Sequence, residues 1–216
     1  MAMWVIRSQM DDVQVINFLN ATGGIPSISG LGAASFADNP SIPQVAGCPV
    51  PTNPPQGGGT QFCSQQTIAN YIEATYRRGY TKGCSSTNDG RRMYCPADFV
   101  TRGQMSIFLI RAKMSNVFPT SLSGIPVALA AGPSQGFASA YGDAFGFFTP
   151  AQAYFSDCTP AGCGTSAGAG ANGPYLYIQK MRELRITNGT TGITYSPDSI
   201  LTRQEIATFV VRAFLL

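Results

Sequence analysis

The stretch from Cys95 to Ala112, "CPADFVTRGQMSIFLIRA", is repeated later in the chain as "SPDSILTRQEIATFVVRA", from Ser196 to Ala213. In each copy a threonine is followed three residues later by Gln or Glu, the capping-box pattern that begins a helix. Apolar residues then recur at the i, i+3, i+4 and i+7 spacing of a single helix face. These positions are Met105, Phe108, Leu109 and Ala112 in the first copy, and Ile206, Phe209, Val210 and Ala213 in the second. The stretch therefore predicts one amphipathic helix per copy.

The similarity between the two copies extends upstream of these helices. The segments "YIEATYRRGYTKG" (Tyr71–Gly83) and "YIQKMRELRITNG" (Tyr177–Gly189) match, and each is followed by Tyr-x-Pro. Further upstream, "FAD" after Ser35 matches "FSD" after Tyr154. The repeat therefore predicts the same order of elements in each unit: Phe-x-Asp, a loop, a first helix, a turn that contains glycine, Tyr-x-Pro and a second helix.

A third copy is present only as a tail. The opening residues "MAMWVIRS" (Met1–Ser8) align without a gap on "MSIFLIRA" (Met105–Ala112). We therefore expect the chain to open on the second helix of an incomplete unit. The start also lacks the apolar core and cleavage site of a signal peptide, so we expect a mature or trimmed piece of a longer protein. Three helices that share one apolar face are expected to pack together at the centre, with Trp4 buried among them.

The repeats and their spacing predict a mainly α fold with long Gly/Pro-rich loop inserts. The predicted division is 1–8 for the second helix of an incomplete first repeat, 9–35 for an apolar insert, 36–114 for the second repeat, 115–154 for another apolar insert, and 155–216 for the third repeat.

Composition narrows the classes of function. Only 12% of the residues are charged, histidine is absent, and glycine (24) and proline (15) are plentiful, which suits a loop-rich extracellular protein better than a cytosolic enzyme. A net charge of +3 is too small to predict nucleic-acid binding, and no apolar run reaches the roughly 18 residues of a membrane span. Without histidine the usual general base is missing, so we expect no catalysis and no cofactor. The carboxylates that could in principle pair as in a glycosidase are better explained as helix faces and loop caps; they are Asp38, Glu73, Asp157 and Glu183.

Six cysteines occur in close pairs around Gly-, Pro- or Ser-rich loops. Local pairing predicts the disulfides Cys48–Cys63, Cys84–Cys95 and Cys158–Cys163 among the 15 pairings that six cysteines allow. A zinc site is the alternative, but the chain has no C-x-x-C and no histidine to complete a mixed site. Disulfides would place the protein in an oxidising compartment.

An arginine occupies the first helical turn of both copies, at Arg102 and Arg203. A cation there opposes the helix dipole, at a cost of about 0.3–1 kcal/mol. Two interpretations remain open. Each arginine could pair with a nearby carboxylate such as Asp98 or Asp198, or it could hold an anion together with the free N–H groups of the helix start.

These motifs together resemble the S-layer homology repeat. The resemblance rests on Thr-Arg-x-Gln/Glu before an apolar helix, on Phe-x-Asp, and on "GYTKG" or "RITNG" before Tyr-x-Pro; the cysteine-containing variant looks like a form found in acidobacterial surface proteins. The family implies a pseudo-threefold helical bundle whose grooves between repeats bind acidic cell-wall polysaccharide. Carried over, the ligand-binding residues would be Arg102 and Arg203, with Gly83 and Gly189 allowing the sugar to approach. The first repeat lacks the arginine motif, and Gly103 replaces the usual helix former.

Two functions follow from this resemblance and from the inserts. The first is a non-catalytic structural protein of the bacterial cell surface that assembles with copies of itself into a filament or layer. Segments such as Gly124–Phe148 are apolar yet too rich in Gly and Pro to be core helices, so they would make a subunit interface or pack over their own bundle. The alternative is a monomeric anchor that binds acidic cell-wall polysaccharide.

Overall fold

The computed structural model of the chain describes residues 1–26, 34–38, 45–46, 62–63, 65–114, 153–159, 161–165 and 174–216. These residues are rich in helix and contain little sheet, as the sequence predicts. Six helices are found among them: α1 (Ala2–Arg7), α2 (Asp12–Ala21), α3 (Gln65–Arg77), α4 (Arg102–Lys113), α5 (Tyr175–Glu183) and α6 (Arg203–Phe214). Two short antiparallel ribbons accompany them, β1 (Val45–Ala46) with β2 (Phe62–Cys63), and β3 (Ser85–Ser86) with β4 (Arg92–Met93). Of the insert 9–35, residues 27–33 lie outside the described residues, and of the insert 115–154 only 153–154 are described.

The repeated helices α4 and α6 begin where the sequence predicts. The hydroxyls of Thr101 and Thr202 each accept a hydrogen bond from the backbone N–H three residues on. In return, the side chains of Gln104 and Glu205 accept from the threonine backbone N–H groups. Both capping boxes are therefore complete, and each satisfies N–H groups that a helix start leaves without an internal partner.

The second helices of the three copies pack together. α1, α4 and α6 contact one another pairwise, and Val5, Leu109 and Val210 are buried at equivalent positions. The expectation that Trp4 is buried is wrong, because 44% of its surface is exposed. The short helix α1 buries the face that carries Ala2, Val5 and Ile6 and leaves Trp4 at the edge.

The first helices of the units cover this centre from outside. α3 packs on α1, and α5 packs on α4. α2 adds a further layer on α3 and lies inside the segment 9–35, for which the sequence predicts a connector. Its helix is explained by a capping box between Asp11 and Gln14 and by Val15 and Leu19, which are buried one turn apart.

The two complete units share their loop geometry. In each, the aspartate of Phe-x-Asp accepts hydrogen bonds from two successive backbone N–H groups in the Tyr-x-Pro motif. The bonds run from Tyr94 (2.9 Å) and Cys95 (2.7 Å) to Asp38, and from Tyr195 (2.8 Å) and Ser196 (2.7 Å) to Asp157. The middle residue has positive φ in both units, 56° at Cys95 and 60° at Ser196. The sequence repeat is therefore also a repeat of local structure.

Two of the three expected disulfides are confirmed. Cys84 is bonded to Cys95 across the β3–β4 ribbon, and Cys158 is bonded to Cys163 directly after Phe-x-Asp of the last unit. The third expected pair, Cys48–Cys63, lies outside the described residues because Cys48 is not among them.

Candidate functional site

Arg102 is buried and joins the two complete repeats. Its Nε donates a hydrogen bond of 2.8 Å to the carbonyl oxygen of Tyr195, and its Nη1 lies 2.9 Å from Oε1 of Glu205. The guanidinium also lies over the ring of Tyr195, 4.8 Å from the centroid, and over that of Phe209, at 5.2 Å. Arg102 thus pairs with a carboxylate, but the partner is the capping residue of α6 and not the neighbouring Asp98 or Asp198.

Backbone carbonyls occupy the start of α4. The N–H of Arg102 donates to the carbonyl oxygen of Ser199 at 2.9 Å, and that of Gly103 donates to Pro197 at 2.7 Å. These donors are the ones that an anion would use at a helix N-terminus. The loop before α6 therefore fills the position at which the sequence places a candidate anion site.

Arg203, the equivalent residue of α6, is in a different environment. Its side chain is exposed, and within the described part of the chain it makes neither a hydrogen bond nor an ion pair. The two arginines of the repeated motif therefore differ: Arg102 is part of the packed interior, whereas Arg203 is available at the surface.

Gly83 and Gly189 stand in equivalent tight turns after the first helices. Their φ angles are +92° and +84°, in the region that favours glycine. A Cβ at Gly83 would lie 2.3 Å from the carbonyl oxygen of Met93, and one at Gly189 would lie 2.4 Å from that of Thr194. Both glycines therefore permit the Tyr-x-Pro segment to cross close over the turn, whatever else they contribute.

A groove of about 180 Å³ opens beside Gly83. Its walls come from the turn after α3, from one side of α4, from the loop before α4 and from Met1. We call it the Gly83 groove; it is lined by Met1, Tyr80, Thr81, Lys82, Gly83, Cys84, Tyr94, Cys95, Pro96, Asp98, Phe99, Val100, Gln104, Ile107, Phe108 and Arg111. Arg102 is not part of this lining, so the structure does not bring it together with Gly83 in the groove.

Arg111 is the buried charge of the Gly83 groove. Only 4% of its surface is exposed. Its Nη2 lies 3.2 Å from the hydroxyl of Tyr177, and its Nη1 lies 3.5 Å from the carbonyl oxygen of Tyr80. Its Nε has no hydrogen-bond partner among the residues that the structure describes. Among the residues that the structure describes, no carboxylate forms an ion pair with it. A buried guanidinium with an unsatisfied donor and no counter-ion is energetically unfavourable, and an anion would relieve this.

A second cation faces the same groove. The pKa of Lys82 is lowered below its usual value, mainly because the amine is partly buried. The neighbouring charges of Arg111 and Arg92 lower it further. Among the described residues of the lining there is a single carboxylate, the exposed Asp98. The cations thus outnumber the acids, and their mutual repulsion makes an anion the favourable occupant.

The sequence does carry a signal for Arg111, because an arginine recurs at the equivalent position of each copy of the repeat. Arg111 aligns with Arg212 and with Arg7 of the incomplete copy. Arg7 donates from Nε to the hydroxyl of Tyr71 at 2.8 Å and lies over that ring. Arg111 contacts the hydroxyl of Tyr177, the equivalent tyrosine of the following unit, through Nη2 and also lies over its ring. In α1 and α4 this arginine therefore links the second helix to the first helix of the next unit.

Over the described ranges, no group of three or more His, Cys, Asp or Glu side chains could hold a metal ion. The helices found there are all too short or too polar to cross a membrane. Compared with known proteins, the chain matches no family model, no curated protein and no solved structure.

Proposed function

We propose that this chain is a non-catalytic structural protein of the cell exterior whose Gly83 groove binds a carboxylate-bearing polysaccharide. The observation that carries the proposal is Arg111, a buried arginine with an unpartnered Nε in the wall of an open groove. Two disulfides support an extracellular location, because disulfides persist in oxidising compartments. The resemblance to S-layer homology repeats supports an acidic glycan as the ligand class.

The chemistry of the groove suits such a ligand. Arg111 and Lys82 supply the positive charge, and Gly83 keeps the floor of the turn free of a side chain. Phe99, which is largely exposed, offers an apolar face at the groove for the C–H side of a sugar ring. Arg102 is already paired with Glu205. The carboxylate of the polysaccharide would therefore contact Arg111 and Lys82 in the Gly83 groove. Arg203, exposed at the start of α6, remains a candidate for a second contact.

Calorimetric titration with an oligogalacturonate tests this function, with its methyl ester as the uncharged control. Arg111→Met keeps the length of the side chain and removes its charge, so we expect binding to weaken at least about tenfold, since a charged hydrogen bond contributes about 1.5–3 kcal/mol. Arg91→Met is the matched control, because Arg91 is exposed and pairs with Asp89 away from the groove. Equal affinity of the acid and the ester, or unchanged binding by a folded Arg111→Met protein, would overturn the proposal.

A second candidate is a subunit that assembles with copies of itself. Exposed apolar side chains at the C-terminal end favour it, namely Val211, Leu215 and Leu216. The sequence predicts that the inserts 9–35 and 115–154 make the contacts; residues 27–33 and 115–152 of these inserts lie outside the described residues. Deleting 120–150 is expected to abolish polymers in negative-stain images while circular dichroism shows the helical content retained. A protein that stays monodisperse at high concentration before the deletion rejects self-assembly.

A further inference from the structure

One side of α6 is exposed although its counterpart in α4 is buried. We call it the outer stripe of α6; it consists of Thr208, Val211, Arg212 and Leu215. Val211 is 41% exposed and Leu215 is 68% exposed, and Thr208 and Arg212 are exposed as well. The spacing i, i+3, i+4 and i+7 places all four on one helix face.

The equivalent stripe of α4 is buried beneath α5. Ile110, the counterpart of Val211, has no exposed surface, and Ile107, Arg111 and Met114 are also buried. In α1, the counterpart Ile6 is fully buried where α3 packs on that helix. The stripe of α4 is therefore covered by the first helix of the following unit, and in α1 the central residue Ile6 is covered in the same way while Met3, Arg7 and Met10 stay partly exposed.

The third copy keeps the residue types of a covered stripe. Val211 and Leu215 occupy the positions of Ile110 and Met114, and the arginine between them is retained. Two apolar side chains exposed on one helix face would gain hydrophobic free energy if another element covered them. The face thus has the chemistry of an interface.

Arg212 makes one of the two contacts that its counterpart makes. Its Nη1 lies 3.5 Å from the carbonyl oxygen of Ile186, as that of Arg111 lies 3.5 Å from the carbonyl oxygen of Tyr80. Arg111 adds a tyrosine, Tyr177, whose hydroxyl meets Nη2. For Arg212, no tyrosine takes this role within the part of the chain that the structure describes.

We propose that the outer stripe of α6 is a docking site for an amphipathic helix that presents a tyrosine to Arg212. Its apolar side would cover Val211 and Leu215, and its tyrosine hydroxyl would accept a hydrogen bond from the guanidinium. Both internal examples define this chemistry. In the central core, the tyrosine that meets the arginine is accompanied by a buried apolar neighbour on its own helix, in the pairs Tyr71–Ile72 of α3 and Tyr177–Met181 of α5. The partner is therefore a protein that carries a helix of the same kind, and the docking is independent of the Gly83 groove.

The probe is a fluorescent peptide with the sequence of residues 174–187, "PYLYIQKMRELRIT", added to the full chain. We expect saturable binding by fluorescence anisotropy, and a photo-crosslink from benzoylphenylalanine placed at position 211. Val211→Asp in the full chain should abolish the binding. Tyr177→Phe in the peptide alone should weaken it about tenfold, because the contact with the charged guanidinium is lost. Arg212→Lys should weaken it as well, since lysine lacks the planar donor geometry.

Three results would overturn the docking site. The peptide could fail to bind at millimolar concentration. It could bind equally to the Val211→Asp protein, which would mean that it displaces α5 from α4. Without peptide, the photo-crosslink at position 211 could join two copies of the chain through α6, which would identify the occupant as a second copy. Each of these outcomes leaves the oligogalacturonate titration unaffected, so the two proposals fail separately.

Discussion

Gly83 occupies a turn in which any other residue meets a backbone carbonyl. Gly83→Ala combines a positive φ with a Cβ placed 2.3 Å from the oxygen of Met93, so the backbone must shift. We expect a loss of more than about 2 kcal/mol in the free energy of unfolding measured in urea. Gly90 is the matched control because its φ is +81° and nothing lies within 4 Å of its Cβ position. Gly90→Ala should lower the free energy of unfolding only by the cost of a positive φ for alanine, about 1 kcal/mol. Equal losses for the two variants would show that the close approach of the Met93 carbonyl is not the reason for glycine at position 83.

The two arginines of the repeated motif should respond differently to mutation. Arg102→Met removes the bonds to Tyr195 and Glu205 from a buried site. Glu205 is partly exposed and remains solvated, so we expect a loss of about 2–3 kcal/mol, below the full cost of breaking a buried pair. Arg203→Met should change stability by less than about 0.5 kcal/mol, since the side chain is exposed. Chemical denaturation measures the free energy of unfolding of both variants. Similar losses would contradict the conclusion that Arg102 is part of the packed interior and Arg203 is not.

The start of α6 makes the stability of the fold depend on pH. The hydrogen bond from the Thr202 backbone, together with the nearby Arg102 charge, lowers the pKa of Glu205 below its ordinary value of 4.5. The folded state therefore favours the carboxylate, and this stabilisation is complete above pH 4.5 and is lost as the pH falls through the lowered pKa. Glu205→Gln should reduce the loss of thermal stability below pH 4.5 while keeping the cap, because Gln104 makes the same capping box in α4. An unchanged pH profile of the melting temperature would reject this role.

The helix α1 buries one side only, so neighbouring apolar residues should differ in their contribution. Ile6 is fully buried, and Ile6→Ala should cost about 2–5 kcal/mol through lost burial and a residual cavity. Trp4 is 44% exposed, so Trp4→Ala should cost less than Ile6→Ala although it removes more atoms. Urea unfolding of the two variants provides the comparison. A larger loss for Trp4→Ala would show that its ring lies inside the core.

At the scale of the whole molecule, the disulfides are covalent cross-links that stabilise the fold. Cys84–Cys95 closes a loop with a sequence separation of 11, so replacing both cysteines by serine should cost about 2–3 kcal/mol by constraining the unfolded chain less. Mass mapping of unreduced peptides should find this bond and Cys158–Cys163. The same map tests Cys48–Cys63, which stays a prediction. A free thiol at any of the six positions would contradict the local pairing.

Features that depend on residues close together in the sequence could be predicted from it. The capping boxes of α4 and α6, the two described disulfides and the equivalence of the repeats all follow from local spacing. α2 shows that the same signal can be missed: its capping box and buried Val15 and Leu19 are visible in the sequence, but they lie in a stretch whose average composition suggests a connector.

Contacts between distant residues were decided by the tertiary structure. Arg102 meets Tyr195 and Glu205 across a separation of about a hundred residues, and no local pattern distinguishes this carboxylate from the nearer Asp98. Similarly, Arg111 and Arg212 occupy equivalent positions of the repeat. α5 packs on α4 and buries Arg111, whereas Arg212 on α6 is exposed. A helix pattern defines which residues share a face, but whether that face is buried depends on which other element packs against it, and that is settled only when the chain folds.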